Sequence, residues 1–274
     1  MPRFFVESVS GGQVILTGPD AAHMCRSLRM KPGDTVTLCD TQGFDYQCVV
    51  QRLSPEEAAL TIIDKHQCEN EPSLSVILYQ GLPKGEKMDW IVQKAVELGV
   101  SQIVPVRMER CVSRPDGKAS QKKTDRWQKI AVEAAKQCGR GILPQVCPPA
   151  DFHQALIQAA QAEVFLFCYE AAERVFPGLS LRKLKPISVL IGPEGGFSLP
   201  EAEAARKAGG VPVTLGKRIL RTETAPLAAL SVIMYASGNM EPYARKGGFR
   251  RFCYPIILFV IILIFITNLH ENTF

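Results

Sequence analysis

The strongest constraint on the fold is the way strand-like and helix-like segments alternate after residue 74. Short apolar strands are predicted at 75–80, 103–106, 164–168, 187–191 and 211–215. Helical spacing of apolar residues fills the intervals between and after them, at 88–99, 122–138, 151–162, 200–208 and 224–238. Strands that alternate with helices return in the same direction, so this pattern predicts a mostly parallel sheet in an α/β domain.

The first 70 residues follow a different pattern, in which short strands are separated by tight turns. One helix is predicted from Pro19 to about Arg29. Strands are predicted at 4–6, 14–16, 35–38, 46–50 and 60–63, with glycine or proline in the turns between them. Five such strands suggest a small β-barrel. The polar segment 69–73 is a plausible linker, which divides the chain into domains at 1–70 and 74–241.

The last 30 residues, 245–274, differ from both domains. A basic stretch at 245–251 precedes 15 uninterrupted apolar residues at 252–266, with Pro255 near their start. A membrane-spanning helix usually needs about 20 apolar residues, so this run is short for one. We interpret the tail as an extension that the function does not need, and membrane contact through 252–266 is the alternative.

The charge of the chain is nearly balanced, with 32 Lys and Arg against 27 Asp and Glu. That balance argues against a protein that coats nucleic acid through a large positive excess. The excess is local, because residues 107–140 alone carry 10 basic and 4 acidic side chains. This stretch could hold a phosphate backbone, and the alternative is an ordinary charged helix face.

Cysteine usage and the N-terminus both favour a cytoplasmic protein. The nine cysteines are scattered, and no Cys-x-x-Cys pair or His pair gives a zinc spacing, so no metal site is predicted. The first ten residues, MPRFFVESVS, hold no apolar segment typical of a secretion signal. Reduced thiols buried as small apolar groups are the simplest interpretation of the cysteines.

A glycine-rich turn follows the predicted strand 187–191. The sequence there reads ISVLIGPEGGF, and a helix is expected to start near Pro200. Glycines after a parallel strand let backbone approach a small ligand closely. The spacing matches neither the Rossmann fingerprint nor the P-loop, so the residues alone leave a purely structural turn as an equal alternative.

A second loop of this kind lies at 215–226, between a predicted strand and a predicted helix. Thr222 or Thr224 is suited to cap that helix, and Arg221 and Glu223 stand at its expected edge. Two loops that follow strands of one sheet could form one pocket. The alternative is a solvated connection with a routine helix cap.

These two loops resemble the cofactor-loop motifs of the 16S rRNA (uracil-N3)-methyltransferases, the RsmE family of the SPOUT class. They read GPEGGFS at 192–198 and LGKRILRTETAPLAAL at 215–230. Segments 23–34, 83–100 and 126–140 are similar to the same family, and the likeness covers roughly residues 3–241. One departure is Cys111, where the family more often has serine.

The resemblance implies an N-terminal PUA-like β-barrel and a C-terminal SPOUT α/β domain with a trefoil knot. It also implies a homodimer that binds S-adenosylmethionine and methylates N3 of a uridine in 16S rRNA, with the small ribosomal subunit as partner. Carried over by position, the cofactor-binding residues are Ile191, Gly192, Pro193, Gly195, Leu215, Gly216, Ile219, Leu220, Arg221, Thr224 and Ala225. The runner-up is a non-catalytic ribosome-assembly protein that keeps a relic cofactor pocket.

The methylation chemistry requires a group that accepts the N3 proton and one that stabilises the resulting anion. Glu223 or Glu194 could accept the proton, and Arg221 could stabilise negative charge on the base. Our hypothesis is that Glu223 and Arg221 matter most. A mechanism that only positions the reactants is the alternative. Basic side chains expected to face RNA are Arg26, Arg29, Lys31, Arg110, Arg126, Lys129 and Arg140.

Overall fold

The structure, a computed structural model, describes residues 1–9, 11–115, 117–173 and 186–241. In this part of the chain the first five strands form one sheet in the order β1-β3-β4-β5-β2. Their bounds are β1 Arg3–Phe5, β2 Gln13–Thr17, β3 Thr35–Cys39, β4 Phe44–Leu53 and β5 Glu57–Gln67. Strands β1 and β3 are parallel, and the other pairs are antiparallel.

The first sheet is curled but not closed. The pairing of β4 with β5 shifts register between Gln47 and Cys48 and again between Val50 and Arg52. Such irregularities bend a strand and increase its twist. The end strands β1 and β2 do not pair with each other. The expected β-barrel is therefore an open half-barrel within the described residues.

A short helical segment closes the inner face of this sheet. Helix α1 (Pro19–Ala22) opens with proline at its first position, where a missing N–H costs nothing. It continues into a π-helical turn at His23–Ser27. Ala21 and Met24 are fully buried, and they share a core with strand residues that include Phe4, Val36, Leu38, Tyr46 and Leu60.

The second sheet is parallel throughout, as the alternating pattern predicts. Its strand order is β12-β10-β11-β6-β7-β8, and β9 also pairs with β7. The strands are β6 Val76–Gly81, β7 Gln102–Arg107, β8 Gln145–Val146, β9 Ala150–Asp151, β10 Val164–Cys168, β11 Ile187–Ile191 and β12 Val211–Val213. All five residues of β11 are buried, as expected for a strand in the interior of such a sheet.

Helices cover this sheet and build its core. Their bounds are α2 Lys87–Glu97, α3 Gly117–Cys138, α4 Phe152–Ala159, α5 Leu199–Lys207 and α6 Ala225–Ala236. Helix α2 packs on α3 and α6, while α4 packs against β6, β7 and β11. The inward residues of α3 are Trp127, Ala131, Ala134 and Ala135, in agreement with the predicted helical spacing.

Residues Met1–Met240 form one compact unit. The apolar run at 252–266 lies outside the described residues. Within the described residues no helix has the length and apolar character needed to cross a membrane.

The cysteines of the described residues are free thiols, and four of them are buried. Burial raises the pKa of both Cys39 and Cys48 to about 11. A thiol with such a pKa stays protonated at neutral pH, so these side chains are unreactive. Cys39 donates to the carbonyl of Gly141 at 2.9 Å. Cys253 lies outside the described residues.

Candidate functional site

Loops that follow β6, β11 and β12 come together at the carboxyl edge of the parallel sheet. Gln80 at the end of β6 is paired in register with Ile191 at the end of β11, so the loops after them leave the sheet side by side. The three connections are 82–86, 192–198 and 214–224. The carboxyl edge is where open α/β sheets bind ligands.

The first loop, 192–198, has its backbone packed too closely for side chains at its glycines. A Cβ on Gly192 would lie 3.2 Å from the Phe197 ring, and one on Gly195 would lie 2.9 Å from Arg110 Cβ. Gly196 has a φ of 65°, a left-handed conformation that favours glycine. The loop therefore presents backbone N–H and C=O groups at the sheet edge rather than side chains.

Contacts with a neighbouring segment fix this loop. Arg110 donates to the carbonyl of Gly195 at 2.8 Å. Ser198 and Glu201 form a capping box at the start of α5, and Glu201 also accepts the backbone N–H of Glu109 at 2.8 Å. The loop is thus held from both its tip and its helix end.

The second loop, 214–224, is tied to the first through a buried hydroxyl group. Thr222 donates to the carbonyl of Gly192 at 2.9 Å and accepts from Gln80 Nε2 at 3.1 Å. Gln80 is fully buried and also donates to the carbonyl of Gly81. Thr222 therefore joins the loops instead of capping α6. Thr224 occupies the N-cap position of α6, as one of the two expected candidates, but its side chain makes no capping hydrogen bond.

Two carboxylates, one from each loop, meet at a single ammonium group. Lys87 Nζ lies 3.0 Å from Glu194 Oε1 and 3.3 Å from Glu223 Oε2. The backbone N–H of Lys84 donates to both oxygens of Glu194, at 3.0 and 3.3 Å. The loop at 82–86 is thereby connected to both of the other loops.

The two carboxylates differ in how they are satisfied. Burial works to raise the pKa of Glu194, but the hydrogen bonds from Lys87 and the Lys84 backbone outweigh it, and the pKa lies below its ordinary value. Among the described residues no donor makes a well-directed hydrogen bond to the buried Oε2 of Glu223. Glu194 is thus held as an ionised anchor by several hydrogen bonds, whereas the buried oxygen of Glu223 has an ion pair with Lys87.

The predicted cofactor residues lie on the two joined loops, at different depths. The buried ones are Ile191, Gly192, Pro193 and Ala225. Leu215 and Leu220 are half-buried and pack against the core. The exposed ones are Gly195, Gly216, Ile219, Arg221 and Thr224. Ile219 is 89% exposed, so the second loop presents this apolar side chain to solvent.

The basic residues expected to face RNA do not behave alike. Arg26, Arg29 and Lys31 are exposed around the end of the π-helical turn, and Lys129 is exposed on α3. Arg126 is exposed too, but it is ion-paired with Asp89 and with Glu86.

Arg140 is the exception, and its expected RNA contact is wrong. Its side chain is buried, donates to Glu71 at 2.8–3.0 Å, and donates to the carbonyls of Val96 and Val100. These hydrogen bonds direct the guanidinium at groups of the protein itself and away from an RNA ligand. The basic count of 107–140 hid this role, because composition does not distinguish a buried arginine from an exposed one.

Reasoning from the sequence missed Gln80 and Lys87. A glutamine at the end of the apolar strand SVILYQ is a recognisable signal, because a buried amide requires partners. A lysine as the first residue of α2 is another, because the positive end of the helix dipole disfavours a cation there. Both signals are weak until the loops are seen to meet.

Comparison with known proteins gives consistent matches. A family profile described as an RNA methyltransferase domain matches residues 69–234, and one described as an RNA methyltransferase PUA domain matches residues 16–63. The ribosomal RNA small subunit methyltransferase E of Bacillus subtilis is 35% identical over 247 residues, which cover 86% of this chain and 96% of that protein. The protein of the same name from Mesomycoplasma hyopneumoniae is 32% identical, covering 84% and 98%.

Solved structures agree over nearly the same length. A ribosomal RNA small subunit methyltransferase E from Neisseria gonorrhoeae, bound to S-adenosyl methionine, superposes with a TM-score of 0.77 at 34% identity, covering 86% of this chain and 97% of that one. A methyltransferase from Legionella pneumophila in complex with the cofactor SAM gives a TM-score of 0.78 at 30% identity, covering 85% and 97%. The joined loops therefore belong to a known enzyme type, and the chain is a member of the ribosomal RNA small subunit methyltransferase E family.

Proposed function

We propose that this chain transfers a methyl group from S-adenosylmethionine to N3 of a uridine in 16S rRNA. Family membership makes the chain a SAM-dependent ribosomal RNA methyltransferase. That the methylated atom is N3 of a uridine is a more specific claim than family membership. It is supported by the meeting of the two loops at the carboxyl edge of the second sheet. That arrangement brings the carboxylate of Glu223 to the expected cofactor loops, where it pairs with Lys87.

The loops fit such a cofactor on two counts. At Gly192 and Gly195 a side chain would collide with its neighbours, so backbone groups line the approach. The buried Gln80 Oε1 has no hydrogen-bond donor among the described residues, and the buried Glu223 Oε2 has only the Lys87 ammonium, at 3.3 Å. Unsatisfied buried acceptors are costly, and a ligand that offers amino and hydroxyl donors would relieve that cost.

The reaction needs a deprotonated N3, because uridine N3 carries a proton at neutral pH and is then a poor nucleophile. S-adenosylmethionine, when bound, supplies an electrophilic methyl group. In this proposal Glu223 accepts the N3 proton, and the guanidinium of Arg221 stabilises the negative charge that spreads over O2 and O4. Glu194 is the poorer base because both of its oxygens already accept hydrogen bonds.

Finer features of the family belong to the same proposal. We assign residues 1–70 to a PUA-like RNA-binding domain and 74–241 to a SPOUT domain whose joined loops form a trefoil knot. We also propose a homodimer, supported by the exposed aromatic side chains of Trp90 on α2 and Tyr235 on α6, which lie on packed neighbouring helices. Its ribosomal RNA substrate supports action in the cytoplasm.

Loss of the protein tests the assignment directly. Small-subunit rRNA from cells without the protein should lack one 3-methyluridine by mass spectrometry, and expression of the wild-type chain should restore it. A 3-methyluridine content unchanged by the deletion would refute the choice of N3.

The base role of Glu223 has its own test. Glu223→Gln removes the proton acceptor with little change in shape, so the methylation rate should fall at least about 100-fold. Calorimetry should find S-adenosylmethionine affinity close to that of the wild type. Near-normal turnover with intact cofactor binding would leave only a positioning mechanism.

A further inference from the structure

We propose that Lys87 is a positioning residue that holds the Glu223 carboxylate in the orientation that accepts the N3 proton. This inference rests on the proposed function of Glu223. Lys87 is the first residue of α2, and its ammonium lies 3.3 Å from Glu223 Oε2 and 3.0 Å from Glu194 Oε1.

The contacts of Glu194 make it the fixed side of this cluster. Its two oxygens accept the backbone N–H of Lys84, and Oε1 also accepts from Lys87. A side chain held by backbone cannot follow the movements of a flexible lysine. Glu194 therefore holds the Lys87 ammonium in place. Lys87 in turn holds Glu223, so the position of Glu223 depends on the first loop, 192–198.

The contact with Glu223 is of another kind. Lys87 approaches its Oε2 as an ion pair, but no well-directed hydrogen bond to this buried oxygen is formed within the described residues. A cation at this distance attracts the carboxylate and so fixes its orientation. That is the arrangement required of a base that must be oriented before it receives a proton from the substrate.

The charge balance gives Lys87 a second effect on the same geometry. Glu194 and Glu223 both approach one ammonium, so removal of that charge would leave two carboxylates facing each other. Like charges repel strongly where water is partly excluded. Without Lys87 the Glu223 carboxylate is expected to turn away from Glu194 and from its reactive orientation.

Helix stability does not account for a lysine at this position. A cation in the first turn opposes the helix dipole, and acidic residues are favoured there instead. A residue that violates a local preference at the edge of a ligand site is expected to serve that site. The next lysine of the helix, Lys94, instead pairs with Glu97 near the C-terminal end, where the dipole favours it.

Substitution of Lys87 tests the proposal, because a positioning residue should affect the methylation rate and not the affinity for the cofactor. Lys87→Gln should lower the maximal methylation rate about 10- to 100-fold, because orientation of a base contributes on that scale. The affinity for S-adenosylmethionine by calorimetry should remain within about threefold of wild type. Lys87→Arg keeps the charge and should recover most of the rate. Lys94→Gln, on the same helix, is the matched control and should keep wild-type turnover.

A double-mutant cycle with Glu223→Gln shows whether Lys87 acts through Glu223. If it does, Lys87→Gln should lower the rate of the Glu223→Gln enzyme by no more than about twofold, since interacting residues are not additive. Independent losses would overturn the proposal, as would a Lys87→Gln enzyme with wild-type turnover or one whose cofactor binding falls as much as its rate. If Lys87→Gln does not fold, failure of a folded Lys87→Arg enzyme to methylate would likewise overturn it. A wild-type enzyme that forms no 3-methyluridine would instead refute the proposed function itself.

Discussion

Glu194 and Glu223 are the same amino acid in neighbouring loops, yet their surroundings give them different tasks. Glu194 accepts hydrogen bonds from a backbone N–H and from Lys87, while the buried oxygen of Glu223 has an ion pair only. Both residues were candidate bases from the sequence, which favoured Glu223 but showed none of the contacts that distinguish them. The difference depends on Lys84 and Lys87, which are more than 100 positions away in the chain.

The lowered pKa of Glu194 predicts how its contribution to stability varies with pH. The folded-state pKa is depressed, so the stabilisation is present above the ordinary glutamate pKa of about 4.3 and is lost as pH falls through the lower folded value. Glu194→Gln should therefore lower the thermal midpoint at neutral pH, and the difference from wild type should shrink in acid. Thermal unfolding at both pH values measures this. Glu203→Gln, in an exposed pair with Lys207, should change the midpoint little at either pH.

A difference between wild type and Glu194→Gln that stays constant down to acid pH would contradict this account. It would mean that the carboxylate is not preferentially ionised in the folded protein. Glu194 would then lose its role as the anchor of Lys87.

The elements of the second sheet were largely predictable, because its buried strands and amphipathic helices have strong periodic patterns. Helix α3 begins at Gly117 rather than near the predicted 122. The prediction missed its first residues, GKASQ, because they show no helical spacing of apolar side chains. Strands β8 and β9 have two residues each and give no pattern at all. Strand β5 extends to Gln67, beyond the predicted 60–63. The prediction stopped short because the last residues of the strand are all exposed and show no alternation of apolar and polar side chains.

How the elements join was less predictable than the elements themselves. The hydroxyl of Thr222 connects the loops after β11 and β12, and it also accepts a hydrogen bond from the Gln80 side chain at the end of β6. A threonine before a helix is more often a cap, which was the expectation here. Only the three-dimensional meeting of the strand ends distinguishes a cap from a connection between loops.

Thr222→Val tests this connection at nearly constant side-chain volume. The change leaves the buried carbonyl of Gly192 and the amide of Gln80 without their partner, which should lower the free energy of unfolding by about 1–3 kcal/mol. The same loosening should weaken S-adenosylmethionine binding by about tenfold, the equivalent of about 1.4 kcal/mol. Chemical denaturation and calorimetry give the two quantities.

Thr224→Val, at an exposed cap position without a side-chain bond, should alter stability by less than about 0.5 kcal/mol. Equal stability and equal affinity for Thr222→Val and wild type would exclude the connecting role.

At the scale of the whole molecule, a network of arginines connects the half-barrel with the parallel sheet. Arg3 on β1 makes two hydrogen bonds of 2.6 Å to Asp45 on β4 and donates to the carbonyl of Arg140. Arg140 in turn pairs with Glu71 in the connecting segment. Buried pairs of this kind hold a defined geometry, because breaking one leaves an uncompensated charge. The half-barrel is therefore held at a fixed distance from the carboxyl edge of the second sheet.

The net charge supports local rather than general contact with RNA. Through residue 244 the chain carries 28 basic and 26 acidic side chains, and one of the basic residues in 107–140, Arg140, is buried. Such a protein cannot rely on overall attraction to the phosphate backbone. Binding should instead depend on a few exposed cations, among which Arg26 and Lys31 stand beside the π-helical turn.

Charge reversal at Arg26 and Lys31 is the test of this surface. Arg29 lies between them with a φ of 51°, an uncommon conformation for a residue other than glycine, and it is left unchanged. If both residues contact phosphates, the Arg26→Glu and Lys31→Glu double variant should bind small-subunit rRNA more weakly. Its plot of log affinity against log salt should also be flatter by about 2, one for each lost contact. Lys207→Glu, on α5 beside the second sheet and 74% exposed, supplies the same change of charge per residue outside the half-barrel. Parallel salt plots for the double variant and wild type would exclude the half-barrel turn from the RNA interface, since a lost phosphate contact must release fewer counterions.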